Sequence, residues 1–374
     1  MIRPLLNLAC GLVTGTLVAA DSQLVYFGSY TDGASKSRGI YVSTFNQRTG
    51  VLSPPELAAE TPSPSFLTLH PSGKFLYAVA EAEVPQISAF QVGLPSGHLQ
   101  LLNQLPSGGK GPCYVATDST GQMALSAHYT SGQVSSFSLE KDGKLVGPRS
   151  VVQHTGSSVN PERQTGPHAH SFQPSPDNRF ALACDLGTDR VYVYAIDPAH
   201  GTFTPHGEAA LPPGSGPRHL AFHPNGKWVF VNNEMLMTVT TFAYNDAKGV
   251  LQRHETVSTL PEADRDKKGF SSAEVVVHPN GKFVYVSNRA HDTIAILACD
   301  ASTGKLTLLE NVPAEGKVPR NFALDLTGNW LLVAHQASDS VAVFSVDPQT
   351  GRLQFTGQKV EVGKPCCVRF LAVQ

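Results

Sequence analysis

The sequence predicts an all-β fold, a seven-bladed β-propeller whose last blade is closed by both termini. Three observations predict it: a hairpin motif that recurs six times, a further pair of strands after each copy, and half-copies of the motif near the two ends. Repeats built from a few short strands are typical of radial β-architectures. The 33 glycines and 27 prolines among 374 residues suit such a turn-rich chain.

The hairpin motif is clearest in residues 216–234. Its first strand, residues 218–222, alternates polar and apolar side chains, as a half-buried strand does. Pro224-Asn225-Gly226 then offers a preset φ and residues that tolerate positive φ, which favours a tight turn. The return strand, Trp228–Val231, is aromatic and β-branched. The motif is therefore predicted to be an antiparallel hairpin.

The same motif occurs at six places along the chain, each with a glycine or asparagine in its turn. The copies are Ser63–Glu81, Gly111–Tyr129, Gly166–Leu186, Gly216–Glu234, Ser271–Arg289 and Val318–Gln336. Successive turn residues are 47 to 57 residues apart, which leaves room for a second strand pair in each unit. The first members of such pairs are Gln86–Val92, Arg190–Ile196, Thr293–Ala298 and Ser340–Val346.

The seventh unit is divided between the two ends of the chain. Lys364–Leu371 repeats the first half of the motif, and Leu24–Tyr30 supplies the return strand. Pairing of the two strands would close the ring and leave no open edge. We therefore expect residues 21–374 to form a single domain.

Residues 1–20 have the pattern of a secretory signal. Arg3 precedes an apolar stretch, and small residues end the segment at Val18 and Ala20. Cleavage near Ala20 and export to the periplasm or the cell exterior are predicted. Two other interpretations stay open, a lipid-modified Cys10 and a retained anchor.

Composition argues against several kinds of partner. The formal net charge is −2, and no basic face suits nucleic acid or a membrane surface. The six cysteines show neither metal-ligand spacing nor a dense disulfide framework. We expect no cofactor, no metal, no nucleic-acid partner, no membrane partner after signal cleavage, and a monomer.

Two long segments interrupt the regular spacing at equivalent places in the repeat. They are residues 153–165 and 260–270, and each precedes the first strand of a hairpin. Insertions confined to one face of a repeat protein often mark the binding face. Both are expected to overhang the same mouth of the ring.

The hairpins bring polar residues to that mouth, because each inner strand begins there and its partner ends there. The predicted lining is Tyr30, Glu81, Cys113, His128, Tyr129, His168, His170, Asp185, Arg218, Asn233, Glu234, Glu274, Asn288, Arg289, Arg320, His335 and Gln336. Roles in bonding neighbouring loops are assigned to Asp185, Asn233 and Asn288. Packing roles in turns at the opposite face are assigned to His70, His223 and His278.

Part of this lining indicates chemistry. The informative residues are Arg218, Arg289, Arg320, Glu234, His168 and His170. Guanidiniums bind carboxylate or phosphate through paired hydrogen bonds, and histidine or glutamate can carry a proton near neutral pH. His168 and His170 are two residues apart and so would share a strand face. A catalytic thiol at Cys113 or Cys366, which occupy the same place in two repeats, is an alternative.

Several blocks resemble the seven-bladed lactonase family, which contains propeller-type 6-phosphogluconolactonases and fungal carboxy-muconate lactonizing enzymes. The resemblance extends from about residue 24 to the C-terminus. The blocks are residues 153–170, 216–220, 231–234, 286–289 and 318–322. By resemblance to the site proposed for the muconate enzymes, catalytic roles fall to His170 (or His168), Arg218, Glu234 and Arg289.

The sequence departs from the family where an asparagine is usual. His128 and His335 stand at those positions, and they are assigned to substrate binding together with His168, Arg320 and Glu81. A metal site built from the added imidazoles is the alternative.

The resemblance implies a carboxylic-ester hydrolase that opens a sugar-derived lactone, so that the partner is a small lactone or sugar acid. The arginines would hold an anionic group and stabilise the oxyanion, while Glu234 or His170 would deprotonate water. Two other functions stay open: a muconate-type cycloisomerase, and an exported propeller that binds a ligand or protein without catalysis.

Overall fold

The computed structural model describes residues 21–373, so the predicted signal segment lies outside the described residues. That part of the chain contains 29 strands and one short 3₁₀ helix, Glu262–Asp264. Within it, no helix is long and apolar enough to span a bilayer. The strands form seven separate sheets, which confirms the predicted seven-bladed β-propeller.

Each blade is an antiparallel sheet. The first blade contains β1 (Ser22–Ser29), β2 (Gly39–Asn46), β3 (Val51–Leu52) and β4 (Glu56–Glu60). The second contains β5 (Leu67–Leu69), β6 (Phe75–Ala80), β7 (Gln86–Gly93) and β8 (His98–Pro106). The third contains β9 (Pro112–Thr117), β10 (Met123–His128), β11 (Gln133–Leu139) and β12 (Leu145–Gln153). The fourth contains β13 (Ala169–Pro174), β14 (Phe180–Asp185), β15 (Arg190–Asp197) and β16 (Thr202–Ala210).

The remaining blades follow the same order. The fifth contains β17 (Pro217–Phe222), β18 (Trp228–Asn233), β19 (Thr238–Asn245) and β20 (Val250–Ser258). The sixth contains β21 (Ser271–Val277), β22 (Phe283–Arg289), β23 (Thr293–Cys299) and β24 (Leu306–Pro313). The seventh contains β25 (Pro319–Leu324), β26 (Trp330–His335), β27 (Ser340–Val346) and β28 (Leu353–Glu361). The last strand, β29 (Pro365–Ala372), returns to the first blade.

Both ends of the chain meet in the first blade. Strand β29 pairs antiparallel with β1, and Phe27 lies opposite Val368. The strand nearest the channel in this blade is therefore the last one in the sequence, as predicted. This pairing leaves no gap in the ring of inner strands.

The turns at the face opposite the predicted mouth link neighbouring blades. Gly121 has φ +70°, and a Cβ added there would lie 2.2 Å from Nε2 of His70, so glycine is required for both conformation and space. The same His70 atom lies 2.9 Å from the Gly121 carbonyl oxygen. His223 and His278 make the equivalent contacts to the next blades, which confirms their assignment to turn packing.

The core lies between adjacent blades, where the sheets pack face to face. In the fourth blade Phe172 packs at ring-centroid distances of 5.3 Å from Tyr194 and 5.1 Å from Phe203. Burial of one such phenylalanine stabilises the fold by roughly 1.5–3 kcal/mol. The buried hydroxyl of Tyr77 donates to the carbonyl of Gly143 in the next blade at 3.0 Å, so this polar group between two blades is also satisfied.

Candidate active site

A β-bulge recurs where the inner strands begin at the mouth. In the fourth blade Ala169 pairs with Asp185 and Ser171 with Cys184, so His170 is an extra residue without a partner opposite. A bulge bends the strand and redirects the side chain at the extra position. The residues at equivalent positions in other blades are Cys113, Arg218, Arg320 and Cys366. The repeated bulge thus presents a ring of different side chains around one end of the channel.

A cavity of about 300 Å³ opens at this end of the channel. Its size suits a small metabolite. The lining residues are Glu81, Cys113, Tyr129, Arg163, His170, Glu234, Ser271, Arg289 and Arg320. Of the site residues predicted from the sequence, the fold brings His170, Glu234, Arg289, Arg320 and Glu81 to this wall.

Glu234 is the centre of the charged cluster. Its Oε2 lies 3.1 Å from Nε of Arg218 and 3.0 Å from Nη2 of Arg289. Its Oε1 accepts a hydrogen bond from Nη2 of Arg163 at 3.0 Å. Burial by itself raises the pKa of Glu234, but the charges of these guanidiniums outweigh burial and hold the pKa well below its usual range. Glu234 is therefore an ionised anchor for three arginines.

Arg163 was missed by sequence reasoning, although the loop that carries it was identified. The loop, residues 153–165, brings Arg163 over the mouth, where the guanidinium also donates to the hydroxyl of Tyr129 at 2.8 Å. Asn160 accepts from the backbone N–H of Arg163 at 3.0 Å and shapes the local turn. An insertion is absent from the other repeat units, so the repeat does not predict its conformation. The sequence indicated only where in the unit the loop lies.

Arg218 lies just behind the cavity wall. Its side chain is 3% exposed, and its Nη1 donates to the carbonyl of Ala273 at 2.6 Å. Its Nε–H faces Glu234 without the alignment of a good hydrogen bond. Burial and the charges of Arg320 and Arg289 lower the pKa of Arg218 to about 10, so it stays charged at neutral pH.

His170 contributes an imidazole to the wall that is uncharged at neutral pH. Burial, and then the charge of Arg218, hold its pKa well below the usual range. Its Nδ1 lies 3.9 Å from Sγ of Cys113, and its ring meets the edge of Tyr129 at 5.5 Å. Among residues 21–373 no group hydrogen-bonds to its Nε2. A neutral imidazole with a free nitrogen at a cavity can accept a proton from water.

Arg320 and Glu81 occupy another part of the wall, where Tyr30 links them. Nη2 of Arg320 donates to the hydroxyl of Tyr30 at 3.0 Å, and that hydroxyl donates to Oε2 of Glu81 at 2.8 Å. Arg320 also lies 5.4 Å from the Tyr30 ring centroid, within the range of a cation–π contact. The chain of contacts fixes both charged groups at the cavity.

A buried polar network lies below the cavity, and sequence reasoning missed two of its members. His219 Nδ1 lies 3.0 Å from Oε1 of Glu274, and His219 Nε2 lies 3.2 Å from Nη1 of Arg218. Burial raises the pKa of Glu274 to about 7, against the opposing charges of Arg369 and Arg218. Arg369 belongs to β29 and was the other residue not identified. His219 was overlooked because simple strand alternation does not take account of the bulge beside it.

The structure corrects the assignment of His128 and His335 to substrate binding. The ring of His128 is fully buried and contacts the backbone oxygens of Gln133 and Ser107 at 3.1 and 3.0 Å. His335 contacts the backbone oxygens of Ser340 and Ala314 in the same way. Each histidine pairs with the residue just before the bulge of the neighbouring strand, His128 with Pro112 and His335 with Pro319. Their rings turn into the blade instead of the channel.

His168 is also directed away from the cavity wall. Its Nδ1 lies 2.7 Å from the Tyr129 carbonyl oxygen, and its ring stacks on Tyr129 at 4.5 Å. His168 therefore supports Tyr129, whereas His170 lines the cavity itself. Asp185 and Asn288 bond neighbouring loops, as expected. Asn233 instead donates to the hydroxyls of Thr238 and Thr240 on the adjacent strand β19.

The thiol and metal alternatives find no support at the site. Burial raises the pKa of the Cys113 thiol well above its ordinary value, so the thiolate that nucleophilic catalysis needs is disfavoured. Across residues 21–373, no three His, Cys, Asp or Glu side chains are grouped to hold a metal ion.

The second long segment, residues 260–270, lies at the same mouth. Oδ2 of Asp264 contacts Nε2 of His291 at 3.1 Å, and the Phe270 ring packs edge-on against His291 at 5.1 Å. His291 follows Arg289 by two residues, and Ser271, directly after the segment, lines the cavity. Both insertions thus frame the mouth, as expected.

The chain is similar to known proteins over almost its whole length. A family model described as "Lactonase, 7-bladed beta-propeller" matches residues 24–370. A Bacillus subtilis protein described as 6-phosphogluconolactonase is 35% identical over 347 residues, which cover 92% of this chain and 97% of that protein.

Solved structures are similar to the same extent. The structure of a Pseudomonas aeruginosa periplasmic gluconolactonase has a TM-score of 0.88 at 32% identity, covering 94% of this chain and 100% of that one. A putative 6-phosphogluconolactonase from Bacteroides fragilis has a TM-score of 0.87 at 34% identity, covering 94% of this chain and 98% of that one.

Proposed function

The chain belongs to the seven-bladed β-propeller lactonase family, and on that premise we propose that it hydrolyses a sugar lactone in the cavity around Glu234. The observation that carries the proposal is the combination of a neutral His170 with charged guanidiniums in one cavity wall. Ester hydrolysis needs a proton acceptor for water and positive charge for the oxyanion, and the cavity offers both.

The arginines would supply the electrostatic part of the reaction. Arg163, Arg289 and Arg320 line the cavity, and Arg218 adds its charge from behind. Against them stand two glutamates, Glu234 and Glu81, so the positive charge is in excess. We propose that this excess polarises the ester carbonyl, stabilises the oxyanion of the tetrahedral intermediate, and holds any anionic group of the substrate.

His170 is the better candidate for the proton acceptor. Both oxygens of Glu234 are engaged by guanidiniums, and a carboxylate with so low a pKa is a weak base. Water would attack the carbonyl carbon while Nε2 of His170 takes its proton. Collapse of the intermediate would break the bond to the ring oxygen, which receives the proton back from His170 and leaves the open hydroxy acid. Glu234 then acts as a positioning residue for the arginines.

We also propose that the protein works outside the cytoplasm. The signal pattern of residues 1–20 supports export, and the similar Pseudomonas aeruginosa protein is described as periplasmic. Cell fractionation with an antibody to the protein tests this: recovery in the cytosol as the uncleaved chain would overturn it.

The reaction is tested by measuring acid release from 6-phosphogluconolactone and from glucono-δ-lactone. Each rate is compared with the spontaneous rate of the same lactone. We expect acceleration by the wild-type protein and a loss of about 10²- to 10⁴-fold in kcat for His170→Gln. His206→Gln is the matched control, because His206 is exposed in β16 of the fourth blade. Absence of acceleration with both lactones would refute the proposal. Isomerisation of a muconate without acid release would instead favour the cycloisomerase.

A further inference from the structure

The two oxygens of Glu81 have different surroundings. Oε2 accepts hydrogen bonds from the hydroxyl of Tyr30 at 2.8 Å and from the hydroxyl of Ser65 at 2.6 Å. No group of residues 21–373 donates a hydrogen bond to Oε1. Since Glu81 lines the cavity, one side of its carboxylate is fixed by the protein and the other is left for a ligand.

Glu81 differs in this respect from Glu234, the other carboxylate in the wall. Glu234 contacts three guanidiniums, which engage both of its oxygens. Glu81 has only neutral hydroxyl partners, and both act on one oxygen. Of the carboxylate oxygens that line the cavity within residues 21–373, Oε1 of Glu81 is the one with neither a hydrogen bond nor an ion pair to the protein.

The position of Glu81 is well defined. The hydroxyl of Tyr30 donates to Glu81, and the same hydroxyl accepts a hydrogen bond from Nη2 of Arg320 at 3.0 Å. Burial raises the pKa of Tyr30 well above its ordinary value, so this hydroxyl stays a hydrogen-bond donor. A half-buried carboxylate held by such partners cannot rotate freely to follow a ligand, which favours a ligand whose donors match its geometry.

We propose that Glu81 is a specificity-determining residue that binds hydroxyl groups of the substrate. A carboxylate oxygen accepts strongly from hydroxyl donors and repels other carboxylates. The cavity would therefore select lactones that carry free hydroxyls, and it would disfavour the hydroxyl-free polycarboxylates on which a muconate-type enzyme acts. This inference rests on the proposed lactonase function and narrows its substrate class.

Two lactones and two variants test the role in turnover. Glucono-δ-lactone carries hydroxyls, whereas δ-valerolactone has a ring of the same size without them. For Glu81→Gln we expect kcat/KM to fall about 10- to 100-fold with the first lactone and less than threefold with the second. Glu83→Gln is the matched control, because Glu83 is an exposed glutamate two residues away. Equal losses with both lactones, or no loss with either, would overturn the inference.

Binding of the open-chain acids tests the inference without catalysis. Gluconate and hexanoate share a carboxylate and differ in their hydroxyls. A change in cavity charge affects both ligands alike, so it cancels in the ratio of their affinities. Calorimetry should give tighter binding of gluconate to the wild-type protein, and Glu81→Gln should reduce that preference at least tenfold. Equal affinities in the wild type, or an unchanged preference in the variant, would refute the role of Glu81 even if lactones are hydrolysed. A Glu81-dependent preference without turnover would uphold this role and refute only the lactonase proposal.

Discussion

Nδ1 of His219 lies 3.0 Å from Oε1 of Glu274, below the cavity and away from solvent. Because the carboxylate oxygen of Glu274 accepts a hydrogen bond from Nδ1, the proton of the neutral imidazole belongs on Nδ1. Nε2 of the same ring is then free to accept from Arg218, 3.2 Å away. The ionisation of Glu274 is thus coupled to the hydrogen bond that orients a site arginine.

Ionisation of Glu274 is expected to destabilise the fold as the pH rises. Burial raises its pKa from 4.5 to about 7, so its contribution to the free energy of unfolding is fully present below pH 4.5 and lost as the pH rises through 7. The difference amounts to at most about 3 kcal/mol. Urea unfolding of the wild type and Glu274→Gln should show the variant gaining relative stability from about pH 5 to about pH 8. A difference independent of pH would contradict this.

The pH dependence of turnover should report His170. Since its pKa lies well below 6.5, the acid limb of kcat/KM is expected below that pH, where the free imidazole becomes protonated. A bound anion offsets the guanidinium charges and raises the pKa of His170 in the complex. For 6-phosphogluconolactone the acid limb of kcat should therefore lie at higher pH than that of kcat/KM. Coincident limbs would argue against His170 as the base.

Removal of Arg163 should weaken substrate binding more than stability. Its side chain is 42% exposed, and its contacts are to Glu234 and Tyr129 at the cavity. Arg163→Ala should raise KM about tenfold, as expected for loss of one charge-assisted contact. The free energy of unfolding should change by less than about 1 kcal/mol. Arg149→Ala, at an exposed position on β12, should alter neither quantity, and an unchanged KM in Arg163→Ala would show that this arginine does not contact substrate.

His128 is expected to matter for stability and not for turnover. Its ring is fully buried and contacts the backbone oxygens of Gln133 in its own blade and of Ser107 in the connection from the second blade. His128→Ala should reduce the free energy of unfolding by about 2–4 kcal/mol, because it leaves a cavity and an unpaired polar group. The value of kcat/KM should stay within twofold of wild type. Denaturant titration and steady-state kinetics check both, and lost turnover with unchanged stability would return His128 to the site.

The fold could be predicted because the repeat encodes it many times. Six copies of one hairpin, with turn residues that require positive φ, leave few alternatives, and the half-copies at the ends specify how the ring closes. A weak signal in one unit, such as the short β5 (Leu67–Leu69), is outweighed by agreement among the others.

The site could be predicted only in part, because side-chain direction depends on the bulge. Strict alternation along a strand gives the wrong face for a residue beside an extra position. That is why His219, beside the extra residue Arg218, was overlooked. His128 and His335 were assigned to the cavity from their positions at strand ends, which do not show that their rings turn into the blades. Arg163 depends on the conformation of a long loop, and Glu81 was identified by position without its free oxygen being foreseen. Local sequence pattern does not determine such details of tertiary structure.

The pairing of β1 with β29 has a consequence for synthesis of the protein. Cys366 and Arg369, which contribute to the wall and floor of the channel, follow the strands of all the other blades in the sequence. A nascent chain that lacks them has six complete blades and an incomplete first blade, with no closed channel in which to hold a ligand. The binding site therefore forms only after translation has passed residue 372, however early the separate blades begin to fold.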